Sequence, residues 1–291
     1  MSAKTKNLIL ISSFAVFFVL GYFIIIYAYG YQFDFENLNW QKTGSILIGT
    51  NLNDIEIYID DRLKGTTSLI SNTFTEKNLL PGEYSIRIKK KGFQELDKNV
   101  GVQSGEVVQL FHIYLPDSDE IKSFIAKQKN EETEPVYFIN KTNGFLYKNL
   151  GDNKFEKISS ESVFIKDFSV SQLDNNIYLA SKDTKAPGVF LLTDGEWKQI
   201  HEIATTELLL SPDKKKLAIV SPNEINILWQ KDDSEPPYFK NRHKELVLRI
   251  GEKIEKAFWF ETNWHLIYLT ANGETHFIEL DSTGGRNDLV I

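Results

Sequence analysis

The sequence predicts an all-β protein behind one N-terminal transmembrane helix. Three observations carry that reading: an uncharged apolar run near the N-terminus, period-two alternation in short segments from Gly44 onward, and a loosely repeated strand pattern beyond Pro135. The expected architecture is a small β-sandwich-like domain followed by β-propeller-like repeats, either few in number or incomplete.

The chain has 291 residues, long for one ordinary domain and suited to two compact units with connecting segments. Hydrophobic residues make up 42% and charged residues 25%, a globular balance, but the apolar content piles up at the start.

Between Asn7 and Phe33 no formally charged residue occurs, and "LILISSFAVFFVLGYFIIIYAY" supplies 22 mostly apolar positions. As a helix that run crosses a hydrocarbon layer of roughly 30 Å, so residues 7–30 are read as a transmembrane helix. Ala28 and Gly30 stand at a small-residue spacing that also fits a cleaved signal peptide. The run is longer than the about 7 to 15 residues of a signal's apolar region, which favours an anchor. Lys4 and Lys6 precede the helix, and Asp34 and Glu36 are the first charges after it. By the positive-inside rule, residues 1–6 are a cytoplasmic tail and everything from about Tyr31 lies outside a single-pass cell membrane anchor.

Cysteine is absent, which rules out a lipid-modified cysteine anchor, disulfides and thiol catalysis. The formal net charge is −7, and about −9 once the two tail lysines are set aside, so the exterior repels phosphate backbones. Nucleic acid is not an expected partner; the membrane is one, through the single helix.

Residues 31–43 form a juxtamembrane segment in which Tyr31, Phe33, Phe35 and Trp40 alternate with polar residues, as an interfacial aromatic belt does. Residues 44–115 then read as a small β domain, with strands in "SILIGT", "IEIYIDD", "EYSIRIKKK" and "EVVQLFHIYL" separated by turn signals. Within "LPGEYSIRIKKKGF", alternation puts Tyr84, Ile86 and Ile88 on a core face and Ser85, Arg87, Lys89 and Lys91 on a wet one. That basic stretch either deters edge pairing or meets an anionic envelope polymer. Residues 116–134 are polar and charge-rich and read as a linker, with room for a short helix and no core of its own.

Residues 135–291 carry the repeats. "FSVSQLDNNIYLAS" starts at Phe168 and "LLLSPDKKKLAIVS" at Leu208, an offset of 40 that pairs Ser171 with Ser211, Ile177 with Leu217 and Leu179 with Ile219. "AFWFETNWHLIYLT" from Ala257 follows at an offset of 49, and "EPVYFINKTNGFLYKNL" is an earlier, weaker copy. A spacing of roughly 40 to 50 residues is that of four-stranded propeller blades. The span holds about four blades, so a small ring closes or later blades are absent; a β-sandwich is the competing arrangement.

The first β domain resembles the PEGA domain, a small β module of bacterial and archaeal envelope proteins that is often tethered by a helix. "IEIYID" with Asp60, "GTT" at Gly65 to Thr67, and above all "LPGEYSIRIKKKGF" stand where that pattern has them. Leu52, Asp54 and Ile55 replace the naming Pro, Gly and Ala, and Asp61 and Ser68 also depart. The likeness covers about a quarter of the chain. It implies a binding or structural role near surface polysaccharide or protein layers and brings no catalytic residue.

Candidate chemistry is sparse. His112, His201, His243, His265 and His276 lack metal-ligand spacing; only His265 and His276 stand where adjacent strands could bring them together, and solvated neutral histidines are the plainer reading. No Gly-x-Ser-x-Gly elbow occurs, and "STGGRND" reads as a turn rather than a phosphate loop. Asp167, Asp174, Glu261 and Asp281 are the carboxylates that could act across blades in glycoside hydrolysis, although turn Asp residues commonly cap their own backbone. Lys214 to Lys216 read as solvated charge beside a Ser-Pro-Asp turn, and Trp229, Trp259 and Trp264 as core. No catalytic, cofactor or metal residue is assigned. The expected function is a non-catalytic, membrane-anchored envelope protein for binding or scaffolding a surface polysaccharide or protein partner. A membrane-tethered carbohydrate-active hydrolase with its site in the propeller is the alternative, and a sensor would need a membrane partner, because about six residues remain inside.

Overall fold

The computed structural model describes residues 3–35, 37–128, 136–173, 175–183 and 185–291. They divide into two compact units: Met1–Leu115 with Thr283–Gly285, and Pro116–Ser282 with Arg286–Ile291.

The first unit opens with α1, Ala3–Ala28. Its Thr5–Ala28 stretch has a mean hydropathy of 2.7 and none of its most apolar window is buried, so the helix is long and apolar enough to cross a membrane. A helix apolar on all sides needs an apolar surround, which this one does not find in the protein. Gly30, at φ +79°, ends it: Tyr29 N donates to Ile25 O at 3.0 Å and Gly30 N to Tyr27 O at 2.9 Å.

The juxtamembrane residues fold into a hairpin of β1, Tyr31–Asp34, and β2, Asn39–Lys42. Phe33 faces Trp40 across the pair with ring centroids 5.4 Å apart, and Trp40 also meets Phe23 of α1 at 5.8 Å. The Asp34 carboxylate accepts Asn37 N (3.2 Å), Asn37 Nδ2 (2.7 Å) and Gln41 Nε2 (2.8 Å), so a buried charge organises the turn. Thr43 N and Oγ1 both donate to Gly30 O, at 2.7 and 2.8 Å, tying the next strand to the helix end.

The β domain that follows has seven strands: β3 Gly44–Thr50, β4 Glu56–Ile59, β5 Arg62–Thr66, β6 Thr73–Leu79, β7 Gly82–Lys89, β8 Leu96–Val102 and β9 Val107–Ile113. One sheet is β6-β3-β9, with β3 and β9 parallel, and the other is the antiparallel β5-β4-β7-β8. Ile46, Ile48, Ile57, Ile59, Ile86, Ile88 and Leu110 fill the core. β7 lies inside its sheet between β4 and β8, so its lysines guard no edge; the edge-pairing reading of "KKK" does not hold.

The second unit begins with α2, Ser118–Gln128, inside the stretch read as a linker. Asp117 Oδ1 caps it by accepting Asp119 N at 2.7 Å, and Ile121 and Ile125 are buried. The remainder of that stretch, from residue 129 to 134, lies outside the described residues. Four meanders follow. The first is β10 Tyr137–Ile139, β11 Leu146–Asn149 and β12 Phe155–Lys157. The second is β13 Phe168–Leu173, β14 Asn176–Ser181, β15 Gly188–Thr193 and β16 Glu196–His201. The third is β17 Glu207–Leu210, β18 Lys216–Val220, β19 Glu224–Trp229 and β20 Lys244–Arg249. The fourth is β21 Ile254–Trp259, β22 His265–Thr270, β23 Thr275–Glu279 and β24 Asp288–Val290.

Each meander is an antiparallel sheet in chain order, and the sheets pack in succession. Tyr178 and Ala180 of the second meet Leu217 and Ile219 of the third, whose Ala218 and Val220 meet Leu266 and Tyr268 of the fourth. Both faces of one sheet thus bury against neighbours, the propeller-like arrangement expected rather than a two-layer sandwich. The expected pairing of Ser171 with Ser211 fails in detail. Gln172 opposes Ile177 where Leu210 opposes Leu217, because the β13–β14 hairpin is two residues shorter than the β17–β18 hairpin. Trp259 opposes Leu266 in the fourth sheet, so the 49-residue offset between the last two copies is kept on both strands.

Candidate functional site

A cleft of about 1160 Å³ lies in the second unit, built from β10, β11, the segment before β13 and β13 itself. Its local geometry starts at Asn140, whose Oδ1 accepts Thr142 N at 2.8 Å and Asn143 N at 3.3 Å, making a turn with Lys141 at its exposed apex. Gly144 closes that turn at φ +72°, and a Cβ there would lie 2.8 Å from the Phe164 ring, so glycine lets the ring lie against the backbone. Val163 N donates to Gly144 O at 2.7 Å and fixes the segment that carries Phe164 and Lys166.

Tyr137 opposes Lys148 in the β10–β11 register, and Lys148 Nζ stands 5.8 Å from the Tyr137 ring centroid. The Tyr137 hydroxyl donates to Gln172 Oε1, joining β10 to β13 across the cleft. Phe168 lines the same wall, and the buried Ser169 Oγ has no hydrogen-bond partner. Three lysines, Lys141, Lys148 and Lys166, line the cleft, and among the described residues no carboxylate does. In a chain of net charge −7 this is a local inversion of sign. Such a cleft can hold an anion against flat apolar faces.

The residues singled out from sequence lie elsewhere. Asp167 is exposed, with Lys182 Nζ 3.9 Å from its carboxylate. Asp174 lies outside the described residues. Glu261 is exposed in the β21–β22 turn, whereas Asp281 is buried just after β23. "STGGRND" is a turn, with Gly284 and Gly285 both at positive φ. Trp229, Trp259 and Trp264 are buried between the last two sheets.

The histidines need correction. His201 and His265 are buried, not solvated, and β22–β23 register sets His265 opposite Glu279 and His276 opposite Tyr268, at separate points of the ladder. His265 is held by a 2.7 Å hydrogen bond between Nδ1 and Thr262 Oγ1 and by stacking on Phe277. Burial, with Lys244 adding to it, holds the His201 imidazole below its usual range. Among the described residues, no three of His, Cys, Asp and Glu stand together as a metal site.

Lys216 also departs from its expected place on the solvated side. It is 1% exposed, with Nζ 3.5 Å from Asp233, 3.6 Å from Asp213 and 4.4 Å from the Trp264 ring centroid. The chain reverses through Lys214 at φ +56°, which leaves Lys216 as the first, inward residue of β18. The fourth sheet repeats the device: Asn263 sits at φ +61°, and Thr262 holds His265 as Asp213 holds Lys216.

Two further polar centres escaped the sequence reading. Glu224 is buried and takes Arg249 Nε at 2.9 Å, Arg249 NH2 at 2.8 Å and Asn226 Nδ2 at 2.8 Å. Glu207, on β17, has one oxygen buried without a partner, and burial pushes its carboxyl above the usual range despite the Ala257 backbone N–H and Lys256. Nothing in the local sequence distinguishes either carboxylate from a turn or surface acid.

In the first unit the residues behind the family likeness have definite structural roles. Thr67 Oγ1, buried, accepts Ile55 N at 3.0 Å. Asp60 and Asp61 turn the chain at φ +49° and +60°, and Asp60 Oδ1 accepts Ser85 N at 3.1 Å. Tyr84 donates its hydroxyl to Leu80 O at 2.7 Å, closing the "LPG" turn on its own strand. Residues 43–114 match the PEGA domain. Next to the exit of its β7, a hollow of about 540 Å³ is lined by Lys89, Lys90 and Lys91 together with Asp54, Glu56 and Glu95. Lys89 is paired with Glu95 at 2.7 Å and Arg87 with Asp61 and Asp97, whereas Lys90 only donates to the Asn53 carbonyl at 2.6 Å and keeps its charge.

No curated protein matches the chain in sequence. Two solved structures resemble it weakly. A protein from Lactobacillus plantarum is 9% identical over 82% of each chain with a TM-score of 0.35. A protein from Bacteroides fragilis NCTC 9343, described provisionally as a 6-phosphogluconolactonase, is 13% identical over 89% of this chain and 88% of its own, with a TM-score of 0.32. Scores so low carry no structural argument, and the propeller-like arrangement beside the PEGA domain stands on the packed meanders themselves.

Proposed function

We propose that the chain is a non-catalytic, single-pass cell-envelope protein whose extracytoplasmic PEGA domain and propeller-like unit bind or scaffold a surface polysaccharide or protein partner. The observation that carries this reading is the bare apolar helix α1 running, through the Gly30–Thr43 clasp, straight into the PEGA domain. Lys4 and Lys6 at the start of α1, ahead of its apolar stretch, and Asp34 after it favour a cytoplasmic N-terminus. Binding rather than turnover is supported by the 1160 Å³ cleft, whose described walls are lysine and aromatic rather than paired carboxylates.

The hydrolase alternative has one observation on its side, the raised pKa of Glu207. Glycoside hydrolysis uses two carboxylates set about 5 to 9.5 Å apart, and Glu207 faces Lys256 and Lys182 instead.

The test uses the full chain in lipid nanodiscs as bait for solubilised envelope fractions. Retention of polysaccharide or of a defined protein, with no glycan shortening over hours, is expected. An empty bait, or release of shortened glycan, would overturn the reading.

A further inference from the structure

Resting on that envelope-binding reading, we infer that the cleft between β10 and β13 is the recognition site and that its ligand is an anionic glycan, a sugar chain bearing carboxylate or phosphate groups. Charge is the first ground. Lys141 and Lys166 are exposed, neither has an ion-pair partner among the described residues, and with Lys148 they line one concavity. Unpaired cations around a concavity in an acidic protein concentrate anions there.

Shape and lining narrow the class. A cleft of about 1160 Å³ exceeds what one small anion needs and suits several residues of a polymer. Phe164, 65% exposed, has the end of its ring against Gly144, and Tyr137 and Phe168 add further flat apolar surface. Aromatic planes of this kind bury the apolar faces of sugar rings. The Tyr137–Gln172 pair places a hydroxyl and an amide beside those rings, the groups that hydroxyl-rich chains use. An acidic peptide would satisfy the lysines, but it makes no comparable use of flat rings.

The experiment is calorimetric titration of the full chain in nanodiscs at low salt with four probes: a uronic-acid oligosaccharide, a phosphate-bearing polyol oligomer, a neutral oligosaccharide of equal length, and poly-glutamate. One or both anionic polyols should bind, the two arms separating carboxylate from phosphate as the recognised group. Lys141→Gln and Lys166→Gln should each weaken binding about tenfold, the loss of one charge-assisted contact. Phe164→Ala should weaken the same probe by a similar factor while leaving poly-glutamate unchanged. All three side chains are exposed, so circular dichroism of each variant should be unaltered. Equal affinity for poly-glutamate, or variants that bind as the parent does, would overturn the inference. If the parent still retains envelope material and the lysine variants do too, the cleft assignment alone fails; if the parent retains nothing, the functional reading falls with it.

Discussion

Lys98 and Lys216 define the residue scale. Each is 1% exposed at an inward position of a strand, β8 and β18, where the alternation rule expects an apolar side chain. Sequence reading sends lysines outward because an unpaired buried ammonium is prohibitively costly; it has no access to the partner that removes the cost. For Lys216 that partner is Asp233, whose side chain is itself 3% exposed and lies seventeen positions away in the sequence, beyond β18 and β19. Lys216→Met should therefore destabilise the propeller-like unit by about 3 kcal/mol, the low end for breaking a buried pair, because the buried Asp233 keeps only the more exposed Lys215, 3.8 Å away. Adding Asp233→Asn should recover a large part of that loss. Urea unfolding followed by tryptophan fluorescence reads both, since Trp264 lies against the pair; equal losses in the single and double variants would show that the ion pair is not the cause.

Strands and hairpins were unevenly legible. β3, β4, β7 and β9 follow from alternating isoleucines and valines, and α1 from its unbroken apolar run. β8 escaped because Lys98 and Gly101 interrupt "LDKNVGV", although its burial alternates without a fault. α2 occupies the room for a short helix that the polar stretch left, but its two core contacts, Ile121 and Ile125, were too few to place it. The cleft was legible only as composition: "YFINKTNGFLYK" and "FIKDF" alternate aromatics with lysines, but nothing local shows that they face each other. Glycine at the start of β15 is another such element-level demand. Gly188 sits at φ +116° beside the bulge at Val189 and Phe190, and a Cβ there would lie 2.0 Å from His201 O. Gly188→Ala should cost roughly 2 to 4 kcal/mol by forcing β15 and β16 apart. Hydrogen exchange should register it as faster exchange at those two strands, and unchanged protection would contradict the assignment.

For the whole molecule, the decisive element is α1, which meets no protein core along its most apolar stretch. Replacing Phe17 and Phe18, both 68% exposed, with arginine places two charges near the middle of the span. Each costs about 2.5 to 3.5 kcal/mol at a helix centre, so the double variant should leave the membrane fraction, as read by alkaline extraction and sedimentation. Full retention of the variant would mean that the helix is not what holds the protein to the bilayer. The Gly30–Thr43 clasp bears on how such an attachment would work. One residue or two separate span from hairpin and hairpin from PEGA domain: α1 ends at Ala28, β1 begins at Tyr31, β2 ends at Lys42 and β3 starts at Gly44. On the single-pass reading proposed above, the mount is a short strut rather than a leash: it trades search volume for standoff, and the PEGA domain would sample a shell close to the bilayer.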